Sequence, residues 1–119
     1  MDSHSKTTAL ITGIDGFTGQ YLKETLESQG ICVKPNYIIH LAAISFVAHA
    51  DPTEFYRVNV VGTECLLKSI VDSGLSLRKV IICSSANVYG NSSAEKISEN
   101  ISPEPVNHYA CSKMAMEKI

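Results

Sequence analysis

The sequence lacks most of the features that would assign a function by themselves. Its four cysteines, Cys32, Cys65, Cys83 and Cys111, form no CxxC pair. Cys32 and Cys83 sit in apolar, strand-like runs. Reduced, buried thiols of a cytoplasmic protein are therefore expected, and a disulfide framework or a metal site is not. The histidines, His4, His40, His49 and His108, show no ligand spacing. A net charge of −2 gives no reason to expect a nucleic-acid or membrane-surface partner. No apolar run approaches the length of a membrane span. The leader "MDSHSKTT" is polar and has no signal-peptide core. There is no internal repeat and no low-complexity tract. What remains is an ordinary globular make-up, 45% hydrophobic and 18% charged over 119 residues, for which one domain is the natural expectation.

Within it, strand-like and helix-like runs alternate. "TALITG", residues 8–13, reads as a buried strand ending at glycine. "FTGQYLKETLESQG" reads as a helix, with Leu22 and Leu26 one turn apart and Gly30 placed to end it. "YIIHLAA", residues 37–43, is a second buried strand. "ADPTEF" is a helix start: Asp51 can cap, Pro52 suits the first turn, and Glu54 sits where a capping-box acid belongs. That helix can run to Gly74, with Phe55, Val58, Leu66 and Ile70 facing the core. "KVIICSS", residues 79–85, is a third buried strand; a polar, proline-bearing loop and a helix from His108 follow. Strands apolar throughout are covered on both faces, which points to an α/β doubly wound parallel sheet. One junction resists this reading. The run Ile31-Cys32-Val33 looks like a further strand, yet only Lys34, Pro35 and Asn36 separate it from the next. A parallel crossover needs a dozen or more residues.

Three motifs carry possible chemistry. Gly13, Gly16 and Gly19 make a GxxGxxG pattern that follows a strand and opens a helix. Glycine there permits a tight turn and the close approach of a pyrophosphate, and the helix N-terminus offers unpaired N–H groups. "YACSK" sets Tyr109 and Lys113 four residues apart, one turn up the same helical face. An ammonium beside a phenol favours its ionised form, which suits a tyrosine to proton transfer. "CSSANVYG" puts Ser84 and Ser85 at the carboxyl end of the third strand, where parallel sheets place ligands. Taken singly, the last two are as readily an exposed aromatic with a solvated lysine, and a serine satisfying its own turn.

In this order the motifs resemble the extended short-chain dehydrogenase/reductase family, in particular its nucleotide-sugar epimerase/dehydratase branch. "GIDGFTG" is similar to the family's glycine loop, and "HLAA", residues 40–43, to the strand end that passes under the cofactor. "VNVVGT", residues 58–63, is similar to the helix whose asparagine, here Asn59, helps hold that strand end. "SSANVYG" and "ISENISPEPVNHYACSK" are similar to the segments bearing the serine, the tyrosine and the lysine. "HLAAISFVAHADPTEF" and "SENISPEPVNHYACSK" look closest to enzymes acting on GDP-linked hexoses, GDP-4-keto-6-deoxy-mannose reductases and GDP-mannose 4,6-dehydratases among them.

The resemblance implies a Rossmann-like doubly wound parallel sheet. It also implies that this chain is a partial dinucleotide-binding domain over residues 1–119, with an internal gap near residues 30–34. The second and third strands and the C-terminal substrate domain are expected to be missing, and with them the residue that selects NAD or NADP. The implied cofactor is NAD or NADP, without a preference that can be read. Its implied contacts are Gly13, Gly16, Phe17, Thr18, Gly19, Leu41, Ala42, Ala43, Asn59, Tyr109 and Lys113. The implied catalytic residues are Ser85, Tyr109 and Lys113, with Ser85, Ala86 and Asn87 on the substrate, a nucleotide sugar that is GDP-linked. No nucleic-acid or membrane partner is implied, and a homodimer is. The family's 4,6-dehydratases carry a glutamate two residues after the catalytic serine or threonine; here Asn87 stands there, and an amide is no general base. A reductase or epimerase at C4 is therefore expected, with a GDP-mannose 4,6-dehydratase as the alternative. A reading of another class is a cofactor-binding fragment without turnover.

Overall fold

The computed structural model describes residues 8–13, 17–29, 32–45 and 51–119, and of residues 17, 18 and 32–35 the backbone alone. Gly16, Gly30 and Ile31 of the readings above lie outside the described residues. The described residues form two compact units.

One unit takes the described residues up to Ala42 together with Ser73–Cys83. It holds the strands β1 (Thr8–Thr12), β2 (Cys32–His40) and β3 (Lys79–Ile82) and the helix α1 (Phe17–Ser28). The strands make a parallel, incompletely closed Rossmann-like sheet in the order β1-β2-β3. The puzzling junction is not a crossover. Cys32 and Tyr37 belong to one strand, and both stand beside β1: Thr8 faces Cys32, Ala9 faces Tyr37. β2 thus advances five residues while β1 advances one. Three linking residues cannot cross a sheet, so the two apolar runs stay in line and the surplus becomes a break in register. Asn36 secures the break. Its N–H donates to Thr8 Oγ1 at 3.1 Å, that hydroxyl donates to Asn36 Oδ1 at 2.9 Å, and Arg78 N–H donates to the Asn36 carbonyl at 2.7 Å.

The expectation of strands covered on both faces is approached by β2 alone, where Ile38 and His40 on one face are buried and Tyr37 and Ile39 on the other are half-buried. Ile38 at its centre is 1% exposed, whereas Leu10 on β1 is 38% and Ile81 on β3 is 43% exposed. β1 and β3 are the outer strands of the sheet among the described residues, so each has a neighbour on one side only. β3 also ends at Ile82, short of the expected Ser85. Cys83, expected to be a buried thiol, is exposed just beyond that end, and Cys65 is exposed as well. In α1 the apolar pair behaves as its spacing predicts: Leu22 and Leu26 are half-buried among exposed polar neighbours.

The other unit is Ala43–Asp72 with Ser84–Ile119. The expected helix from "ADPTEF" is α2 (Thr53–Tyr56), a π-helical turn (Arg57–Val61) and α3 (Gly62–Asp72) in succession. Asp51 holds its start, with Oδ1 accepting from Thr53 N–H at 2.9 Å and from the Thr53 hydroxyl at 2.7 Å. The formal cap is Pro52, which makes no side-chain cap bond. An acid three residues past it would have to stand at position 55, and Pro52 has no N–H to receive it. Glu54 instead pairs with Arg57 at 2.6 Å, an exposed contact worth little.

The buried line of this helix also differs from the expected one. Phe55, Asn59 and Thr63 are covered, while Val58, Leu66 and Ile70 are half-covered. A π turn takes an extra residue, so a 3.6-residue period drawn straight through it predicts the wrong face. After β3 come a 3₁₀ turn (Ala86–Tyr89) and α4 (His108–Met116), which packs against α2, the π turn and the 3₁₀ turn. Asn107 caps α4, its Oδ1 accepting from Ala110 N–H at 2.8 Å. Phe55, Val88, Ala110 and Met116 are the buried apolar side chains among the described residues of this unit.

Phe55 is 2% exposed and its ring lies 6.2 Å from that of Tyr109. Phe55→Ala should lower the unfolding free energy by about 3–5 kcal/mol. Chemical denaturation measures it, and a loss below about 1 kcal/mol would show that the ring is not a core anchor.

Candidate active site

The glycine turn begins where β1 ends. Gly13 has φ +72°, and a Cβ there would stand 2.7 Å from the Ala42 nitrogen and 2.8 Å from the Leu41 carbonyl carbon. Both the backbone angle and the approach of residues 41–42 demand glycine. The two strand ends are also tied by side chains. Leu41 N–H donates to the Thr12 carbonyl at 3.2 Å, Ala42 N–H reaches Thr12 Oγ1 at 3.4 Å, and that hydroxyl lies 2.5 Å from His40 Nδ1. Thr12 was not singled out in the sequence, and His40 only as the first residue of "HLAA", although "LITG" and "IHLAA" both place a polar residue at a strand end. Gly19 is buried in the first turn of α1, and Leu41, Ala42 and Ala43 are half-buried.

Tyr109 and Lys113 both lie on α4, so the four-residue spacing does put them on one helical face. Tyr109 is half-buried against Phe55, and Lys113 is 4% exposed. Ser85 caps the 3₁₀ turn that packs on α4, its Oγ accepting from Asn87 N–H at 3.2 Å. The serine thus satisfies its own turn by accepting, and no acceptor for its hydroxyl proton is found among the described residues, which leaves a donor for a ligand oxygen. Ala86 and Asn87 are exposed. Neighbouring Ser84 donates to the Glu117 carboxylate. Further along the loop is a polar cleft of about 280 Å³ lined by Tyr89, Ser92, Ser102 and Glu104 among others; Ser85, Tyr109 and Lys113 do not line it.

Behind Tyr109 lies a buried polar chain. Asn59, 0% exposed, accepts from Ile44 N–H at 2.9 Å and donates to the Ile44 carbonyl at 3.1 Å and to Ser112 Oγ at 3.0 Å. Ser112 donates in turn to the Tyr109 carbonyl at 2.7 Å. The Thr63 hydroxyl donates to the Asn59 carbonyl at 2.7 Å, within the wide turn. Ser112 was missed in the sequence, where it is the small residue inside "YACSK". On another side of α4, Tyr56 Oη lies 3.1 Å from His108 Nδ1, with the rings edge-on. Partial burial, and then the Cys111 thiol, hold the Tyr56 phenol above its ordinary range. Among the described residues no group of three His, Cys, Asp or Glu could hold a metal ion, and no helix is long and apolar enough to cross a membrane.

Residues 31–119 match the family model described as GDP-mannose 4,6 dehydratase. The chain belongs to this family. Among curated relatives, it is 38% identical to a GDP-6-deoxy-D-talose 4-dehydrogenase of Aggregatibacter actinomycetemcomitans, over 92% of this chain and 46% of the relative. It is 31% identical to a GDP-6-deoxy-D-mannose reductase of Pseudomonas aeruginosa, over 92% of this chain and 44% of the relative. Among solved structures, RMD from Pseudomonas aeruginosa complexed with NADPH superposes with a TM-score of 0.87 at 29% identity, over 94% of this chain and 48% of that one. The chain therefore spans about half the length of the family members it matches.

Gly13→Ala should cost roughly 1–3 kcal/mol for the left-handed backbone alone, with the overlap on Ala42 in addition. Chemical denaturation reads the loss, and an unchanged midpoint would contradict the close approach. Tyr56 gives a pH dependence of definite sign. A phenol whose folded pKa is raised adds stability that is full below about pH 10 and lost as pH rises through the folded value. Denaturation midpoints should fall across that alkaline range, and less steeply in Tyr56→Phe.

Proposed function

We propose that the protein is an NAD(P)-dependent oxidoreductase that acts at C4 of a GDP-linked hexose, reducing a GDP-4-keto-hexose or epimerising a GDP-hexose through its 4-ketone. The observation that carries this reading is α4 itself, which bears Tyr109 and the buried Lys113 and packs on the turn capped by Ser85. Tyr109 exchanges a proton with the oxygen on C4, Ser85 donates a hydrogen bond to that oxygen, and Lys113 binds the nicotinamide ribose. Bound NAD or NADP supplies or accepts the hydride at C4. The residues present fit such a cofactor. Gly13 leaves β1 in a left-handed backbone with no room for a Cβ against residues 41–42, the close packing such a loop needs, and the 12-residue α1 has no acid in its first turn. Gly16, Phe17, Thr18 and Gly19 complete that contact in this reading, with Leu41, Ala42, Ala43 and Asn59.

The choice of a GDP sugar rests on coverage. The GDP-hexose relatives align with 92% of this chain, whereas a UDP-glucose 4-epimerase of Halalkalibacterium halodurans aligns with 69% at 36% identity. The match to the family model described as GDP-mannose 4,6 dehydratase favours dehydration as a second reading. Asn87 opposes it, because dehydration needs a base beside the new ketone and an amide does not supply one. The alignment with the talose dehydrogenase runs over 135 positions, more than the 119 residues of this chain. That relative carries residues within the matched span that this chain lacks, which supports the reading of an internal gap near residues 30–34. Cytoplasmic location and a homodimer belong to the same proposal.

The test is turnover by the full-length protein, with reduction of a GDP-4-keto-6-deoxyhexose followed as loss of NAD(P)H absorbance, redox-neutral epimerisation of a GDP-hexose followed by product analysis, and GDP-mannose and a UDP-hexose as rival substrates. Tyr109→Phe should lower turnover at least ~100-fold and leave cofactor affinity nearly intact. Undiminished turnover would remove Tyr109 from the mechanism. Water loss from GDP-mannose as the preferred reaction would favour the dehydratase, and cofactor binding without any turnover would favour an inactive module.

A further inference from the structure

The tyrosine and lysine of "YACSK" draw attention away from the serine between them. Ser112 is 0% exposed in the middle of α4. Alanine has a higher helix propensity and needs no partners, so a buried hydroxyl there is costly unless its bonds are made. Both are made. The hydroxyl has one proton, which goes to the Tyr109 carbonyl at 2.7 Å, and that leaves its lone pair to receive Asn59 Nδ2 at 3.0 Å. A buried serine bonding back into its own helix would need only the first of these. The second reaches a side chain 53 residues away, on the π turn.

Asn59 has no slack of its own. Its side chain is bonded to both the N–H and the carbonyl of Ile44, and its carbonyl receives the Thr63 hydroxyl. A continuous run of hydrogen bonds therefore joins the Ile44 backbone, Asn59, Ser112 and the Tyr109 backbone. We propose that Ser112 is a positioning residue. By fastening the Tyr109 carbonyl to Asn59, it sets the rotation of the α4 turn that carries Tyr109 and Lys113 relative to residues 43–44. A lost bond frees that turn to rotate, and a reacting group displaced by a fraction of an ångström loses rate rather than binding. The inference rests on the reading that Tyr109 and Lys113 carry the proton transfer.

The experiment uses the full-length protein with Ser112→Ala, Asn59→Ala and the double variant, each rate expressed per site that binds cofactor. Ser112→Ala should lower kcat roughly ten- to a hundredfold with the KM for the sugar nucleotide unchanged. The double variant should be no slower than Asn59→Ala alone, because the two residues act in one chain. Two independent losses of stability would instead multiply, and that result, or an unchanged kcat in Ser112→Ala, overturns the proposal. Where the alanine variant does not fold, Ser112→Cys keeps the volume and gives up most of the hydrogen bonding, and the same two results decide. Hydrogen exchange at the Ile44 amide supplies a readout without turnover. It should quicken in Ser112→Ala, and unchanged exchange overturns the linkage. If the wild-type protein turns over no nucleotide sugar, the functional reading has failed by itself. Faster exchange would then leave Ser112 as a structural tie and overturn its positioning role.

Discussion

The Ala43–Asp72 and Ser84–Ile119 unit depends on one side-chain amide. Ile44 has neither helix nor strand partners for its N–H and carbonyl, and Asn59 provides both. An asparagine is the smallest side chain that presents a donor and an acceptor side by side, the pattern that a neighbouring strand would offer. Left unmade, each of those part-buried backbone bonds would cost up to about 1–3 kcal/mol. The second amide proton goes to Ser112, so the same group that supports residue 44 also fixes α4. Here the wide turn has a use. It breaks the α-helical pattern where Asn59 must enter the interior, and the Thr63 hydroxyl satisfies the carbonyl of that residue.

This explains what could be read from the chain and what could not. Gly13 was legible because glycine is demanded there by two independent constraints, the backbone angle and the approach of Ala42. The helix carrying Tyr109 and Lys113 was legible because its spacing is helical and the polar loop before it ends at Asn107, which is its cap. The π turn was not, because hydrophobic periodicity assumes a constant pitch and Phe55, Asn59 and Thr63 are buried on a different one. Ser112 was not, because a serine in a helix is ordinary until its partner is known, and that partner is far away in sequence.

The sheet shows another kind of limit. Apolar composition reports that a strand suits burial on both faces; it does not report whether the neighbours are there. Ile81 and Leu10 have the character of interior residues and stand at the margins of a three-stranded sheet. The junction at residues 30–36 follows the same logic. Its apolar runs each suit a strand, but three residues between them leave only an in-line path, and Asn36 takes up the mismatch through Thr8 and Arg78.

Which chemistry the family fold performs here turns on position 87. Reduction or epimerisation at C4 requires one proton to pass between the sugar oxygen and a side chain, and Tyr109 with Lys113 can serve that need. Dehydration requires a second proton to leave a carbon beside the ketone, and therefore a second group able to hold it. Asn87 has its N–H on Ser85 and its carbonyl on Gly90, so its backbone shapes the turn that presents the serine. Its side-chain amide can position an oxygen by hydrogen bonding and cannot take a proton from carbon at neutral pH. In the proposed reading the turn presents Ser85 to a C4 oxygen and carries an amide where a dehydratase would have its base. That difference is the physical reason the proposed reading favours reduction or epimerisation at C4 over the dehydration by which the matching family model is described.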